Sequence, residues 1–472
     1  MSVFSRFFPQ AQVSLVHCEE NQVILTAKND KTAESEKRQI RLIDLAREAT
    51  PATCNLNPLL FNGHLQTGWT TIKETTEIPI YYKRKIFEQE IPALAGQFAV
   101  DFVVPAYPKT TDPEATDEAR KYTLPSGLPA RTTFFSKEEL AALPSNDTKP
   151  MLVALHGLTG GSHEVYLRAA LAPLVLDETA GWEACVVNGR GCAQMKLSTP
   201  LLFNARATWD VRQVIKWLRK TFPNRPLFGI GFSLGANILV NYLGEEGENC
   251  LLNAAVICAN PWNLDVTNIA LRSTWLGAEV YSAHMAVSLV NLFNQHVDEL
   301  THHPRLNVDD MKDVKYIHEF DRAVQCALWG YPTEGAYHRD ASSTDSLLAI
   351  RIPFLAINAE DDPVRDFILY ISVKQAIPYD EFKQTPYGVL LTTSWGGHLG
   401  WFELGGCRWF TKPAANFLNL IAKTIDLSVT PMPEKDKEGL YGETLANGSI
   451  HKPSHPSVFY PVNRKLSMTI DN

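Results

Sequence analysis

From Met151 onward, short apolar runs alternate with stretches of helical spacing, and that alternation constrains the fold more than any other feature of the chain. "MLVALHG", "EACVVNGRG", "PLFGIG", "NAAVICANP", "IPFLAINAEDDP" and "GVLLTTSWGGH" each carry too few residues for a helix and read as buried strands. Between them, "VYLRAALAPLVL", "ATWDVRQVIKWLRK" and "LGANILVNYLG" repeat apolar residues at helical intervals. Strands that alternate with helices predict an α/β domain with a mostly parallel sheet and helices on both faces. The stretch 262–350 interrupts the alternation with helix-like patches and no clear strand, and is expected to form a helical lid ahead of the strand "IPFLAINA".

The flanks are less regular. Residues 1–56 read as an N-terminal arm of short strands or loosely packed chain, residues 57–425 as the main domain, and 426–472 as a disordered polar tail. "EIPIYYKRKIF" is strand-like, and 108–148 is polar enough to be an insertion or long loop.

Composition removes several function classes. A net charge of −8 without a basic stripe argues against nucleic-acid binding. No run approaches the roughly 18 apolar residues of a membrane span, and the N-terminus lacks a secretory h-region. The eight cysteines are scattered without a Cys-x-x-Cys pair, so a reducing, intracellular setting is expected. No His-Glu-x-x-His occurs, and His302 and His303 lack ligand spacing, so neither a metal nor another cofactor is expected.

The turn in "PLFGIGFSLGAN" then has to be read as a dinucleotide loop or as a nucleophile elbow. A Gly-x-Gly-x-x-Gly fingerprint fails at its third glycine twice, at Leu234 after Gly229 and Gly231, and at Gln194 after Gly189 and Gly191. Gly-x-Ser-x-Gly is complete at Gly231, Ser233 and Gly235, between a strand and a helix. Serine needs a base oriented by a carboxylate, and in this architecture the chain order is serine, acid, histidine. His398 follows the sixth core strand, and Asp361 and Asp362 follow the fifth. Asp362 is favoured as the acid by its Asp-x-Val spacing, with Asp361 the alternative. An oxyanion needs two backbone N–H groups. One is expected from Leu234, after the nucleophile, and one from Leu158 in the glycine-rich loop "HGLTGGSHE", where His156 reads as a structural turn residue.

"NPLLFNGHLQT", "HGLTGGSHEVYLR", "VNGRGCA", "GFSLGANIL", "ANPWNL" and "GGHLGWFE", in this order from about Asn57 to Leu420, resemble the YheT-like branch of the α/β-hydrolases, which includes fungal medium-chain fatty acid ethyl ester synthase/esterases. The resemblance implies the α/β-hydrolase fold and a Ser-His-Asp triad on Ser233, His398 and Asp361 or Asp362. It also implies action on acyl esters or acyl-CoA through a seryl ester, with water or a short alcohol as acceptor. Expected partners are thus a small-molecule acyl donor and that acceptor, with peripheral contact to a lipid surface left open. Competing readings are a biosynthetic O-acyltransferase or hydrolase acting on a secondary metabolite, and a catalytically silent binding protein on the same scaffold. The apolar lid stripes "TWLGAEVY" and "MAVSLVNLF" can serve either an acyl chain or ordinary helix packing.

Overall fold

A computed structural model describes residues 10–28, 38–72, 78–107, 120–177, 179–363 and 376–434. In chain order it contains β1 (Val13–His17), β2 (Val23–Thr26), β3 (Gln39–Arg41), α1 (Leu42–Ala49), α2 (Gly63–Ile72), β4 (Tyr81–Glu88), β5 (Gln97–Val104) and β6 (Thr132–Phe134). These are followed by β7 (Met151–Leu155), α3 (Val165–Val175), β8 (Glu183–Val187), α4 (Thr208–Thr221), β9 (Leu227–Phe232), α5 (Leu234–Glu246) and β10 (Ala254–Cys258). The lid contributes α6 (Leu264–Arg272), α7 (Ala283–Gln295) and α8 (Glu334–Ala341). The chain returns through β11 (Phe354–Ala359), β12 (Gly388–Thr393), α9 (Thr411–Thr424) and β13 (Met432–Pro433).

The six apolar runs become six adjacent parallel strands at the centre of one sheet, ordered β12-β11-β10-β9-β7-β8. Their near-continuous apolar character follows from burial on both faces. Helices supply that cover: α1 and α3 each pack against α9, and α4 packs against α5. Helix α4 shows why such a segment is helical. Trp209, Val211, Val214, Ile215 and Leu218 recur at helical spacing and are buried, while Asp210 in its first turn and Arg219 and Lys220 in its last suit the helix dipole.

The sheet extends beyond the parallel core. β5 and β4 add an antiparallel pair beyond β8, and β6 joins β4 in parallel. β6 and a capped helix, Lys137–Ala142, therefore lie inside the segment read as an insertion or loop. Its residues 108–119 fall outside the described ones.

At the opposite edge β1 pairs antiparallel with β12, Leu15 facing Leu391. Residues read as an N-terminal arm are thereby built into the main core, with Val23, Leu25, Leu42, Ile43 and Leu45 buried in it. β2 pairs with β3 and with β13, so residues 432–433 of the segment read as a tail form a strand against Val23 and Ile24. Residues 435–472 of that segment lie outside the described residues. The stretch 262–350 contains helices and no strand, and its Leu289, Phe293, Leu300, Phe320, Val324 and Leu328 share an apolar cluster with Cys192, Leu197, Leu202 and Phe203 from the segment after β8.

A buried ionic network joins the antiparallel strands to the parallel core. Arg84 of β4 donates through Nε (2.7 Å) and Nη2 (2.8 Å) to the Asp101 carboxylate of β5, and through Nη1 to the Ala193 carbonyl at 2.9 Å. Ser162 (2.6 Å) and Asn188 (3.0 Å), from the loops after β7 and β8, donate to the same carboxylate. Burial alone would raise the Asp101 carboxyl, but Arg84 and these donors hold it below its ordinary value. Removing one partner strands the other charge in the interior. Arg84→Met is expected to lower unfolding free energy by about 3–5 kcal/mol in urea titration; a loss below about 1 kcal/mol would contradict this account of the network.

Candidate active site

Backbone strain marks where the site lies. Non-glycine residues with left-handed backbone are Thr159 after β7, Ala193 and Gln194 after β8, Ser233 after β9, Ala259 after β10, and Leu399 and Trp401 after β12. Among the described residues only Arg131 shares that conformation elsewhere. All the others follow the carboxyl ends of parallel strands, where open α/β sheets place ligands.

Ser233 is the turn from β9 into α5, at φ 52° and ψ −119°. Gly231 and Gly235 make this turn geometrically feasible. A Cβ at Gly231 would come 2.6 Å from the Gly235 carbonyl oxygen, and one at Gly235 would strike the backbone carbonyls of Leu155 and His156. The serine therefore projects from the carboxyl end of β9 at the start of α5.

His398 Nε2 lies 2.7 Å from Ser233 Oγ, and His398 Nδ1 lies 2.7 Å from Asp362 Oδ2. With the Nδ1 proton donated to Asp362, Nε2 is left to accept the serine hydroxyl proton. Asp362 is fully buried and the His398 side chain is 13% exposed. Of the two candidate acids, the structure thus brings Asp362 to the histidine.

Asp361 has a different place. Its Oδ1 accepts from the backbone N–H groups of Gly396 (2.8 Å) and Gly397 (3.0 Å), just before His398. Burial pushes its carboxyl up to about 6, the Gly397 and Gly396 N–H groups oppose that rise, and the neighbouring Asp362 charge adds to it.

Helix α2, on the "NGHLQT" motif, clamps the histidine loop from the other side. Thr67 Oγ1 accepts the His398 N–H at 2.8 Å. The fully buried Gln66 accepts from the Phe402 N–H at 2.7 Å and donates to the Leu60 carbonyl at 3.0 Å. Gly63 has no room for a Cβ because the Asp361 carbonyl occupies that space. His64 hydrogen-bonds Tyr281 of the lid at 2.7 Å, so one short helix touches both the histidine loop and the lid. Residue reading did not assign Gln66, Thr67 or Asp361 these roles; the motif containing the first two was the available signal.

Leu158 and Leu234, the expected oxyanion residues, both line a partly open cavity of about 90 Å³ between the core and the lid. Phe203, Leu264, Leu271, Leu289, Ile317 and Tyr337 make much of its wall apolar. Of the two lid stripes, "MAVSLVNLF" supplies Leu289 to the cavity and Leu292 and Phe293 to the apolar cluster that the lid shares with the segment after β8. "TWLGAEVY" supplies no lining residue, and its Trp275 is exposed.

His156 holds the loop that carries Leu158. Its Nδ1–H donates to the Gly157 carbonyl at 2.7 Å, and its Nε2 accepts from the Gly189 N–H at 2.9 Å. Burial lowers its pKa to about 4, so the ring stays neutral and structural. Among the described residues no cluster of three or more His, Cys, Asp or Glu could hold a metal ion, and no helix is long and apolar enough to cross a membrane.

Comparison with known proteins agrees with the geometry. The alpha/beta hydrolase fold family matches residues 150–386. A monoacylglycerol lipase of Saccharomyces cerevisiae is 33% identical over 92% of this chain and 98% of its own length. The chain belongs to the alpha/beta hydrolase family. A medium-chain fatty acid ethyl ester synthase/esterase 2 of the same yeast is 31% identical, over 81% of this chain and 90% of that relative. The phospholipase ABHD3 of Homo sapiens is 31% identical over 57% of this chain and 63% of its own length.

The raised Asp361 carboxyl gives this hydrolase a pH signature. Its folded pKa of about 6 exceeds the ordinary 3.8, so between about pH 4 and 6 the native state keeps a proton that the unfolded chain has lost. Stability from this group is therefore present in acid and declines as pH rises across that window. The difference in unfolding free energy between wild type and Asp361→Asn should change by about 2 kcal/mol from pH 4 to 6. Parallel stability curves for the two proteins would contradict the assignment.

Proposed function

We propose that this hydrolase is a serine-dependent carboxylic ester hydrolase acting on lipid esters, with Ser233 as nucleophile, His398 as general base and acid, and Asp362 as the orienting carboxylate. The observation that carries the reading is the unbroken chain from Ser233 Oγ through both His398 ring nitrogens to buried Asp362, at 2.7 Å each. The cavity beside it, apolar over most of its wall, supports an acyl ester as substrate, as does the likeness to the two yeast relatives, a monoacylglycerol lipase and an ethyl ester synthase/esterase.

In this mechanism His398 Nε2 takes the hydroxyl proton as Ser233 Oγ attacks the ester carbonyl carbon. The carbonyl oxygen becomes an oxyanion held by the N–H groups of Leu234 and Leu158, and the N-terminal end of α5 favours that charge. Collapse breaks the bond to the alcohol, which leaves with the proton from His398. Water then gives its proton to His398 and attacks the seryl ester, releasing the carboxylic acid and restoring Ser233.

A second reading, transfer of the acyl group to a short alcohol in place of water, is favoured by likeness to the ethyl ester synthase/esterase. Neither reading requires a cofactor.

Wild type and Ser233→Ala, each given 1-octanoylglycerol or octanoyl-CoA in buffer containing ethanol, separate these readings. Octanoate from the glyceryl ester, with activity lost by at least about 10³-fold in Ser233→Ala, is expected. Ethyl octanoate as the main product would favour transfer. Equal turnover by the variant would sink the nucleophile assignment.

A further inference from the structure

Polar side chains stand among the apolar ones that the lid brings to the cavity. Thr267 and Asn268 of α6, Gln325 of the lid turn Asp321–Gln325, and His338 of α8 all line it. Each is more than nine-tenths buried, with exposures of 7%, 8%, 2% and 4%. Yet Thr267 Oγ1, Asn268 Oδ1, Gln325 Oε1 and His338 Nδ1 have no hydrogen-bond partner among the described residues.

Their chemistry is largely that of acceptors. His338 Nε2–H donates to Asp321 Oδ2 at 2.8 Å, which leaves Nδ1 with a lone pair. The Gln325 amide nitrogen donates to the Phe203 carbonyl at 3.2 Å, which leaves its oxygen as the open group. Thr267 can accept or donate. No Lys or Arg lines the cavity, and its one carboxylate belongs to Asp321. Phosphate or carboxylate oxygens would therefore meet acceptors and a negative charge, while a purely alkyl group would leave these atoms unpaired.

We propose that these polar groups form a hydroxyl-binding subsite, which receives a neutral O–H-bearing part of the ester substrate. The inference rests on the reading of Ser233 as an ester-hydrolysing nucleophile and adds to it the class of substrate. Hydroxyls can come from the alcohol half, as in a monoacylglycerol, or from a hydroxylated acyl chain. A site built to hydrogen-bond a hydroxyl discriminates strongly against an analogue without it.

The test compares kcat/KM for 1-octanoylglycerol, ethyl octanoate and ethyl 8-hydroxyoctanoate, in wild type, Thr267→Val and Asn268→Leu. Circular dichroism confirms that the variants are folded. Wild type should prefer one hydroxylated ester over ethyl octanoate by at least about tenfold, and both variants should reduce that preference about tenfold or more. The ester whose advantage is lost identifies the source of the hydroxyl. Equal kcat/KM on all three esters in wild type, or an unchanged preference in folded variants, overturns the subsite. If no ester is turned over, the nucleophile reading fails separately. Calorimetry with the non-hydrolysable 1-O-octylglycerol and 8-hydroxyoctyl ethyl ether then decides the subsite. Binding of either that is lost in Thr267→Val supports it, and no binding of either overturns it.

Discussion

Ser233 can sit in a left-handed backbone only because Gly231 and Gly235 let α5 fold back against the ends of β7 and β9. A side chain at either glycine would collide with main chain, which cannot yield as a flexible side chain can. Such a turn is costly when isolated and persists where the surroundings over-determine it. Here the surroundings are the parallel strands on both sides, with Gly231 facing Leu155 of β7 and Ile257 of β10. The rigid sheet thus fixes the position of one hydroxyl, and the other groups of the site are brought to it.

Those other groups arrive on loops, and loops need holding. The histidine loop is held from two directions, by the Asp361 carboxylate on the Gly396 and Gly397 N–H groups and by Thr67 and Gln66 of α2. The loop that carries Leu158 is held by His156, by Tyr166 on the Gly157 N–H at 2.7 Å, and by Ser162 in the Arg84–Asp101 network. Groups that only position are thus buried as deeply as those that would react. A hydrolase arranged this way spends most of its polar interior on geometry.

The parallel core was legible in the sequence because strands buried on both faces must be apolar throughout, and six such runs stand out between amphipathic helices. That Ser233, Asp362 and His398 would come together was legible because chain order and strand ends narrow the choice, although residue spacing left Asp361 open. The antiparallel edges were harder to read. β5, "QFAVDFVV", carries Asp101 in its middle, an ion-pair partner that looks like a break until Arg84 is beside it. β1 and β13 are short and find their partners hundreds of residues away, which no local pattern encodes. The polar part of the lid wall was invisible for the same reason, since residues 267, 268, 325 and 338 come from separate segments and meet only in the folded chain.

The central claim is that His398, oriented by Asp362, makes Ser233 a nucleophile. Labelling with a fluorophosphonate, followed by peptide mass spectrometry, tests it most directly, because the reagent reports serine activation without assuming a substrate. One adduct per chain is predicted, on Ser233, formed at least about a hundredfold more slowly in folded His398→Ala. An adduct at another residue, or equal labelling rates in wild type and His398→Ala, would contradict the account.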